Sequence, residues 1–271
     1  MNNQSMLYFA IIILSGVLLT MLFYYNKKVK KLKHSNKSLL NTNRKYLNVL
    51  GFVSHELKGI LGSAKMCVYS VRDGFLGMMN FKQNQALDSA VRNLERLEST
   101  VKNYLDFSRI KKGEFNVRKG EISLEDIVKQ AVDTFSKQIS EKEIILDNRI
   151  PKTSKIFADK DLMITVYNNL LSNAIKYNTS GGRIILDYED IGGYIRLSVY
   201  NDGIPIPEVE KDNLFKEFSR LTTEPDKKVR GTGLGLFITR DIIEKHGGKI
   251  WLEPKEKGNK FIFEIKKGEI R

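Results

Sequence analysis

The feature that most limits how this chain can fold is a seam of apolar residues at alternating spacings of three and four. It runs from Val29 to Val71, and eleven of its thirteen positions are apolar. The two exceptions, Asn36 and Asn43, both fall at heptad position a. Such a seam predicts a long coiled-coil helix, in which a buried Asn lowers stability but fixes a two-stranded register. For residues 26–45, a solvated linker with chance periodicity is the alternative.

An uncharged apolar run over residues 6–25 precedes the seam. At about 1.5 Å per residue, a helix of this length spans the roughly 30 Å hydrocarbon core of a bilayer. We therefore expect one N-terminal transmembrane helix at 6–25 and a short extracytoplasmic end at 1–5. A cleaved signal peptide is the competing interpretation. It would have basic residues ahead of the apolar run, and residues 1–5 contain none.

A basic cluster follows the apolar run, and no acidic residue precedes Glu56. The positive-inside rule then predicts a single-pass protein of the plasma or inner membrane whose catalytic part is cytoplasmic. The cluster supplies most of the net charge of +13. Binding of residues 26–45 to anionic membrane lipid explains that charge, so we expect no nucleic-acid partner. Its members are Lys27, Lys28, Lys30, Lys31, Lys33, Lys37, Arg44 and Lys45.

His55 falls at position f of the seam, on the face turned away from a partner helix. A second domain can reach it there, and a neutral imidazole nitrogen is a nucleophile. Glu56 is the candidate group to orient the imidazole or take up its proton. We therefore predict that His55 and Glu56 are catalytic. The two other histidines, His34 and His246, are interpreted as a solvated residue and a helix cap.

The seam ends in a break around residues 73–80, where Gly74 and Gly77 favour a turn. A second helical pattern of apolar residues then runs from Leu87 to Tyr104. Two such helical hairpins form a four-helix bundle when they dimerise. Residues 46–112 are therefore expected to be an all-α dimerisation domain, with a second copy of the chain as partner.

The C-terminal part, residues 113–271, mixes short β-like runs with helices, which predicts an α+β two-layer sandwich. Ser123 is the expected N-cap of its first helix. Another helix is predicted at about 162–177, and a third begins near Leu236. The predicted strands are 115–117, 144–146, 184–188, 194–200 and 260–265.

Two features of this part suit the binding of a nucleoside triphosphate. Asn169 and Asn173 lie on one helix face and can bind Mg²⁺ or phosphate oxygens without adding negative charge. Lys176, on the same helix, can neutralise phosphate. Further on, the run Gly231-Thr232-Gly233-Leu234-Gly235 leads into a helix N-terminus, which together make a phosphate cradle. The basic stretch 219–230 before it suits a mobile lid, with Lys227, Lys228 and Arg230 as charge partners.

The order and spacing of these motifs resemble those of two-component sensor histidine kinases, over about residues 45–270. The resemblance implies a dimerisation and histidine-phosphotransfer domain followed by an ATP-binding domain of the class shared with gyrase and certain chaperones. It also implies that Mg·ATP phosphorylates His55, in cis or in trans, and that the phosphoryl group passes to an aspartate of a separate response regulator. The similar segments are residues 54–61 around the histidine, the N box at 169–177, the G1 box at 201–207, the F box at 214–218 and the glycine run at 231–235.

Carried over to this chain, the resemblance implies ATP and Mg²⁺ as cofactors and Asn173 as the metal ligand. The implied nucleotide-binding residues are Asn169, Asn173, Lys176, Tyr177, Asn201, Asp202, Gly203, Phe218, Arg230, Gly231, Thr232, Gly233, Leu234 and Gly235. The phenylalanines of the F box are equally consistent with a role in anchoring the lid.

The chain departs from the family pattern at four positions. Ile60 replaces a proline, and Gly59 stands where a Thr or Asn usually positions water for dephosphorylating the regulator. We therefore predict weak or absent phosphatase activity. In the G1 box, Asn201 replaces the aspartate that accepts a hydrogen bond from the adenine amino group, and Pro205 replaces a glycine. Either Asn201 or the adjacent Asp202 could read adenine.

Two other functions compete with the kinase. One is a degenerate kinase-like scaffold that signals by conformation and partner binding, which the four departures favour. The other is an ATPase clamp like those of chaperones, mismatch-repair proteins and gyrase. The heptads around His55 argue against the clamp. For a kinase, we expect the stimulus to come from a membrane-protein partner or the bilayer, through the helix at residues 25–50.

Overall fold

The computed structural model describes residues 3–74, 77–220 and 231–267. Contacts between residues divide the chain into two compact units, Met1–Val53 and Ser54–Arg271. The first unit consists of the N-terminal part of one long helix. The second contains the rest of that helix, a second long helix and a mixed α/β domain.

The seam of apolar residues does form one helix, α1, which spans Asn3–Arg72. A second helix, α2, spans Phe81–Lys112 and starts with a capping box in which Asn80 and Gln83 bond each other's backbone. Lys65 of α1 bonds Glu98 of α2 at 2.8 Å, so the two helices form a hairpin. The predicted helical hairpin and its break are confirmed in the part of the chain that is described.

Helix α1 is unbroken at Ile60, consistent with the absence of the proline that bends this helix in relatives. It also includes residues 6–25. Within the described ranges, no helix combines the length and apolar character that crossing a membrane requires. The predicted transmembrane span therefore stays a prediction.

The C-terminal part is a two-layer domain of helices and strands. The strands are β1 Gly120–Ser123, β2 Ile145–Asn148, β3 Lys155–Ala158, β4 Arg183–Asp190, β5 Tyr194–Asn201, β6 Lys249–Pro254 and β7 Asn259–Lys266. Five of them form a sheet in the order β2-β4-β5-β7-β6. β2 runs parallel to β4 and the other neighbours are antiparallel, while β1 and β3 form a separate antiparallel pair. The helices are α3 Leu124–Glu141, α4 Lys160–Lys176 and α5 Gly235–Lys245, with a 3-10 turn at Glu208–Asn213.

The core of this domain lies between the helices and the sheet. Helix α4 contacts α3, α5 and β5, and it buries seven side chains, among them Tyr167 and Leu170. The Tyr167 ring packs edge-on against Phe263 of β7, with centroids 5.9 Å apart. Because α4 is fixed on both sides, its polar face is held in place beside the strand ends, and that face carries the N box.

Most elements of this domain agree with the sequence predictions. Ser123 caps α3 by accepting a hydrogen bond from the Asp126 N–H at 3.2 Å, as predicted. The predicted strand at 115–117 is wrong, because β1 begins only at Gly120. The Phe115 carbonyl instead accepts a hydrogen bond from the Lys245 ammonium at 3.1 Å, so this segment is tied to α5 and not to a strand. Strands β1, β3 and β6 were not predicted.

His246 caps α5, as predicted. Its ring is buried: Nδ1 donates to the Ile242 carbonyl at 2.7 Å, and Nε2 accepts from the Asp159 N–H at 3.0 Å. Burial lowers the pKa of His246. The neutral ring satisfies both bonds, whereas a protonated ring would present an N–H to the Asp159 N–H.

Candidate functional site

His55 lies on the surface of α1, with 81% of its side chain exposed. Its Nδ1 is 3.8 Å from a carboxylate oxygen of Glu56, within ion-pair range but too long for a hydrogen bond. The predicted accessibility of this histidine is confirmed. A shallow groove beside it is lined by His55, Lys58, Gly59, Gly62, Ser63 and Met66.

Helix α4 presents Asn169 and Asn173 one turn apart, both half-buried. The Asn169 amide nitrogen donates to the Gly235 carbonyl at 3.1 Å and lies 3.2 Å from the Thr239 hydroxyl oxygen. These bonds tie the N box to the first turn of α5. They also leave the amide oxygen as the atom that Asn169 can offer to a cation.

Lys176 and Tyr177 end α4 next to the glycine run. The Lys176 ammonium is 2.8 Å from the Tyr177 hydroxyl and 4.4 Å from the centre of its ring. A Cβ placed on Gly231 would be 3.1 Å from the same ammonium. The structure thus brings a lysine charge to the start of the glycine run, as a phosphate site requires.

The glycine run passes close under the F box. Gly233 has φ of 70°, and a Cβ there would lie 2.6 Å from the Phe218 backbone, so only glycine fits. Leu234 is fully buried, and its N–H donates to the Thr232 hydroxyl oxygen at 3.3 Å. The positive end of α5 follows at Gly235. The predicted ligand Arg230 lies outside the described residues, as do Lys227 and Lys228.

In the G1 box, the two candidate base readers have different surroundings. Asp202 accepts hydrogen bonds from the Tyr200 hydroxyl at 2.6 Å and from the Arg183 N–H at 2.9 Å. Burial raises the pKa of Asp202, but these bonds outweigh it and the net pKa is lowered. Burial and the same carboxylate raise the pKa of Tyr200 to about 12. Asn201 is 2% exposed, and its amide nitrogen bonds no group among the described residues.

Gly203, also in the G1 box, packs directly against the end of α4. A Cβ on Gly203 would lie 2.3 Å from the Tyr177 carbonyl oxygen and 2.5 Å from the Asn201 amide nitrogen. The N box and the G1 box therefore meet here, and the Asn201 amide faces their junction.

The F box contacts α2, which the sequence did not predict. Phe218 is half exposed, and its ring packs edge-on against Phe107 of α2 with centroids 5.3 Å apart. Phe107 also contacts Phe237 of α5 at 5.8 Å. Lys111 forms an ion pair with Glu217 at the same place. Phe218 is thus placed as an anchor on α2, in keeping with the interpretation that the F-box rings hold the lid segment.

The polar residues of α4 fit a nucleotide-bound Mg²⁺. In the described part of the chain, no three acidic, histidine or cysteine side chains cluster to hold a metal. Mg²⁺ in nucleotide sites takes most of its ligands from phosphate and water and needs one or two protein oxygens. The amide oxygens of Asn169 and Asn173 can supply these.

Comparison with known proteins identifies the family. Residues 158–269 match the family described as histidine kinase-, DNA gyrase B- and HSP90-like ATPase. The chain is 31% identical over 219 residues to the sensor histidine kinase GlrK of Escherichia coli K12, covering 80% of this chain and 45% of GlrK. It is 30% identical over 239 residues to the adaptive-response sensory kinase SasA of Synechococcus sp. CC9902, covering 86% of this chain and 60% of SasA. Residues 158–269 belong to that ATPase family, and over at least 80% of its length the chain is similar to two-component sensor histidine kinases.

A solved structure agrees with this similarity. The histidine kinase ThkA, crystallised in complex with the response regulator protein TrrA, is 27% identical. It matches 80% of this chain and 63% of that chain, with a TM-score of 0.53. The chain spans about half to three fifths of the length of the two curated kinases.

Proposed function

We propose that this chain is a histidine kinase that uses Mg·ATP to phosphorylate its own His55. The observation that carries the proposal is the pairing of two sites in one chain. One is an exposed histidine on a helix. The other is a cradle in which the glycine run, the N-terminus of α5, Lys176 and the N-box asparagines converge. Backbone N–H groups at a helix start and a lysine charge suit a triphosphate.

In the first step, a neutral imidazole nitrogen of His55 attacks the γ-phosphorus of ATP. A nitrogen–phosphorus bond forms, the bond to the β–γ bridging oxygen breaks, and ADP leaves. Glu56, whose carboxylate is 3.8 Å from the ring, would orient the ring or take up its proton after moving closer. Lys176 and the α5 N-terminus stabilise charge on the phosphates. Asn173 and Asn169 would hold the Mg²⁺, which when bound neutralises phosphate charge.

In the second step, the phosphoryl group passes from His55 to an aspartate of a separate response regulator. The complex of ThkA with TrrA supports a partner of this kind. We also propose that the chain acts as a homodimer. Val53, Leu57 and Ile60 are exposed apolar residues on α1 in the single chain, and the same face of a second copy would cover them.

We further propose that residues 6–25 anchor the kinase in the cell membrane with its catalytic part in the cytoplasm. Two features of the sequence support this arrangement. They are the apolar run and the basic segment 26–45, which anionic membrane lipid would attract. With such an anchor, input would come from a membrane-protein partner or from the bilayer. Replacing residues 6–25 with an unrelated transmembrane helix tests that input, and unchanged regulation in cells would contradict it.

The decisive experiment incubates the full chain with γ-labelled ATP and Mg²⁺, beside His55→Gln and the control His34→Gln. His34 is an exposed histidine on the same helix, so its variant tests whether any surface imidazole suffices. We expect an acid-labile, base-stable label that persists in His34→Gln and disappears in His55→Gln.

The same experiment separates the alternatives. Nucleotide binding without label would indicate the degenerate signalling protein, which the departures at Gly59, Ile60, Asn201 and Pro205 favour. Steady ATP turnover without phosphoprotein would indicate an ATPase clamp.

A further inference from the structure

The Asn201 side chain is a buried polar group with a hydrogen-bond donor that no described residue uses. It lies at the end of β5, is 2% exposed, and its amide nitrogen has no partner in the described part of the protein. Buried donors without partners are rare in native proteins, and a bound ligand is one way to satisfy them. The amide also faces the junction of the N box and the G1 box, where the sequence resemblance puts the base of the nucleotide.

The neighbouring carboxylate, unlike the Asn201 amide, already has hydrogen-bond partners within the fold. Both oxygens of Asp202 are engaged, Oδ1 by the Tyr200 hydroxyl and Oδ2 by the Arg183 N–H. The Arg183 guanidinium adds a contact to Oδ2 at 3.4 Å. Asp202 therefore links β4 to β5, whereas Asn201 is the residue of the G1 box with an unused donor among the described residues.

The loop that follows Asn201 is fixed to β7 by two hydrogen bonds. The Asn259 amide oxygen accepts from the Ile206 N–H at 2.8 Å, and its amide nitrogen donates to the Ile204 carbonyl at 2.8 Å. Asn259 is itself the neighbour of Asn201 across the β5–β7 pair. Selectivity for the base then depends on the chemistry of the Asn201 side chain rather than on movement of the loop.

A carboxamide and a carboxylate read position 6 of a purine differently. A carboxylate only accepts, so it binds the 6-amino group of adenine and repels the 6-oxo group of hypoxanthine or guanine. A carboxamide carries one acceptor and one donor side by side. It can accept from the 6-amino group while donating to N1, or, after its amide is turned over, donate to O6 while accepting from the N1–H.

We propose that Asn201 relaxes base recognition, so that this site accepts 6-oxopurine nucleoside triphosphates, such as inosine and guanosine triphosphates, as well as ATP. The inference rests on the proposed function, because it concerns the same nucleotide site. It gives Asn201 a role in specificity: the residue sets which purines bind, while the phosphate cradle is unchanged.

The test measures binding of ATP, ITP and GTP with Mg²⁺ to the full chain by calorimetry. ITP differs from ATP at position 6 and in the proton on N1, and it lacks the extra 2-amino group of GTP, so it isolates the property in question. For the natural chain we expect ATP and ITP affinities within about five-fold. For Asn201→Asp, which keeps the side-chain shape, we expect ITP to bind roughly 30-fold or more weakly than ATP, since a good two-bond base contact discriminates by roughly 5- to 150-fold.

Asp202→Asn is the matched control, because it makes the reverse exchange at the next residue. If Asn201 reads the base, this variant leaves the ITP-to-ATP ratio unchanged. The inference is overturned if the natural chain already rejects ITP, if Asn201→Asp leaves the ratio unchanged, or if Asp202→Asn is the variant that alters it. Circular dichroism spectra establish that each variant is folded.

Phosphorylation of His55 in the same samples separates this inference from the proposed function. If ATP labels His55 and ITP does not bind, the proposed kinase function is supported and relaxed base recognition is refuted. If both nucleotides bind but His55 is not labelled, relaxed base recognition is supported and the kinase function is refuted. A folded chain that binds neither nucleotide would refute both.

Discussion

Replacing Phe107 with alanine should release the F box and α5 from α2. The Phe107 side chain is 7% exposed and contacts the rings of Phe218 and Phe237. Burying a phenylalanine contributes about 1.5–3 kcal/mol, and each aromatic pair adds about 0.5–1.5 kcal/mol. The sum, about 2.5–6 kcal/mol, brackets the roughly 3–5 kcal/mol that Phe→Ala substitutions typically cost in protein cores. Because alanine favours helix more than phenylalanine does, α2 itself should persist.

Hydrogen exchange followed by mass spectrometry measures this release. A loss of about 3 kcal/mol corresponds to roughly a 100-fold increase in the open population. We therefore expect amides of the F box and the first turns of α5 to exchange about 100-fold faster in Phe107→Ala. Amides of β4 and β5, in the middle of the sheet, should exchange at their original rates.

Lys111→Met is the matched control at the same contact. It removes the charge that pairs with Glu217 and lies 5.7 Å and 5.3 Å from the centres of the Phe107 and Phe237 rings, and it keeps an unbranched apolar side chain there. Both charged side chains are about one third exposed, and exposed pairs contribute about 0–1 kcal/mol. Exchange in Lys111→Met should therefore change less than about five-fold. Equal acceleration of all amides in Phe107→Ala, or none, would refute the role assigned to the aromatic contact.

Three further predictions follow from single residues. Gly233→Ala should abolish nucleotide binding measured by calorimetry, because a Cβ would overlap the Phe218 backbone and φ is positive there; unchanged affinity would contradict this. The pKa of His246 is lowered in the folded chain, so the unfolded chain binds a proton at higher pH than the folded one. The free energy of unfolding should therefore fall as pH drops from 7 to 5. Urea titrations should show a weaker pH dependence of this free energy in His246→Gln. Gly59→Asn should accelerate decay of a phosphorylated response regulator, since nothing lies within 4 Å of a Cβ added at Gly59; strong acceleration by the natural chain would show that its glycine does not limit phosphatase activity.

The long helices and the N-box helix could be predicted because their signals are local. Apolar residues at spacings of three and four mark α1, α2 and α4 within the segments themselves. The short strands could not be predicted in this way. Residues 115–117 have the right composition but find no partner strand. β3, with four residues, is defined by its pairing with β1 some 35 positions earlier, as Ile156 opposite Ile122 shows.

The residues of the nucleotide site could be predicted from the sequence, but the role of each one could not. The sequence places Asn201 and Asp202 side by side without indicating which of them reads the base. Their roles separate only through Arg183 at the start of β4, which bonds the Asp202 carboxylate. Similarly, the contact of Phe107 with the F box joins residues more than 100 positions apart, and no local pattern marks it.

The two departures from the family pattern in the G1 box, Asn201 and Pro205, differ in their expected effect on the nucleotide site. Pro205 is exposed and lies in a loop without regular secondary structure, where the fixed φ of proline is tolerated. Gly203 is different, since no side chain fits between it and the Tyr177 carbonyl, and this glycine is retained. Asn201 leaves the shape of the pocket unchanged and alters one hydrogen-bonding group. It follows that the site should keep its ability to bind a nucleotide and change its choice of base.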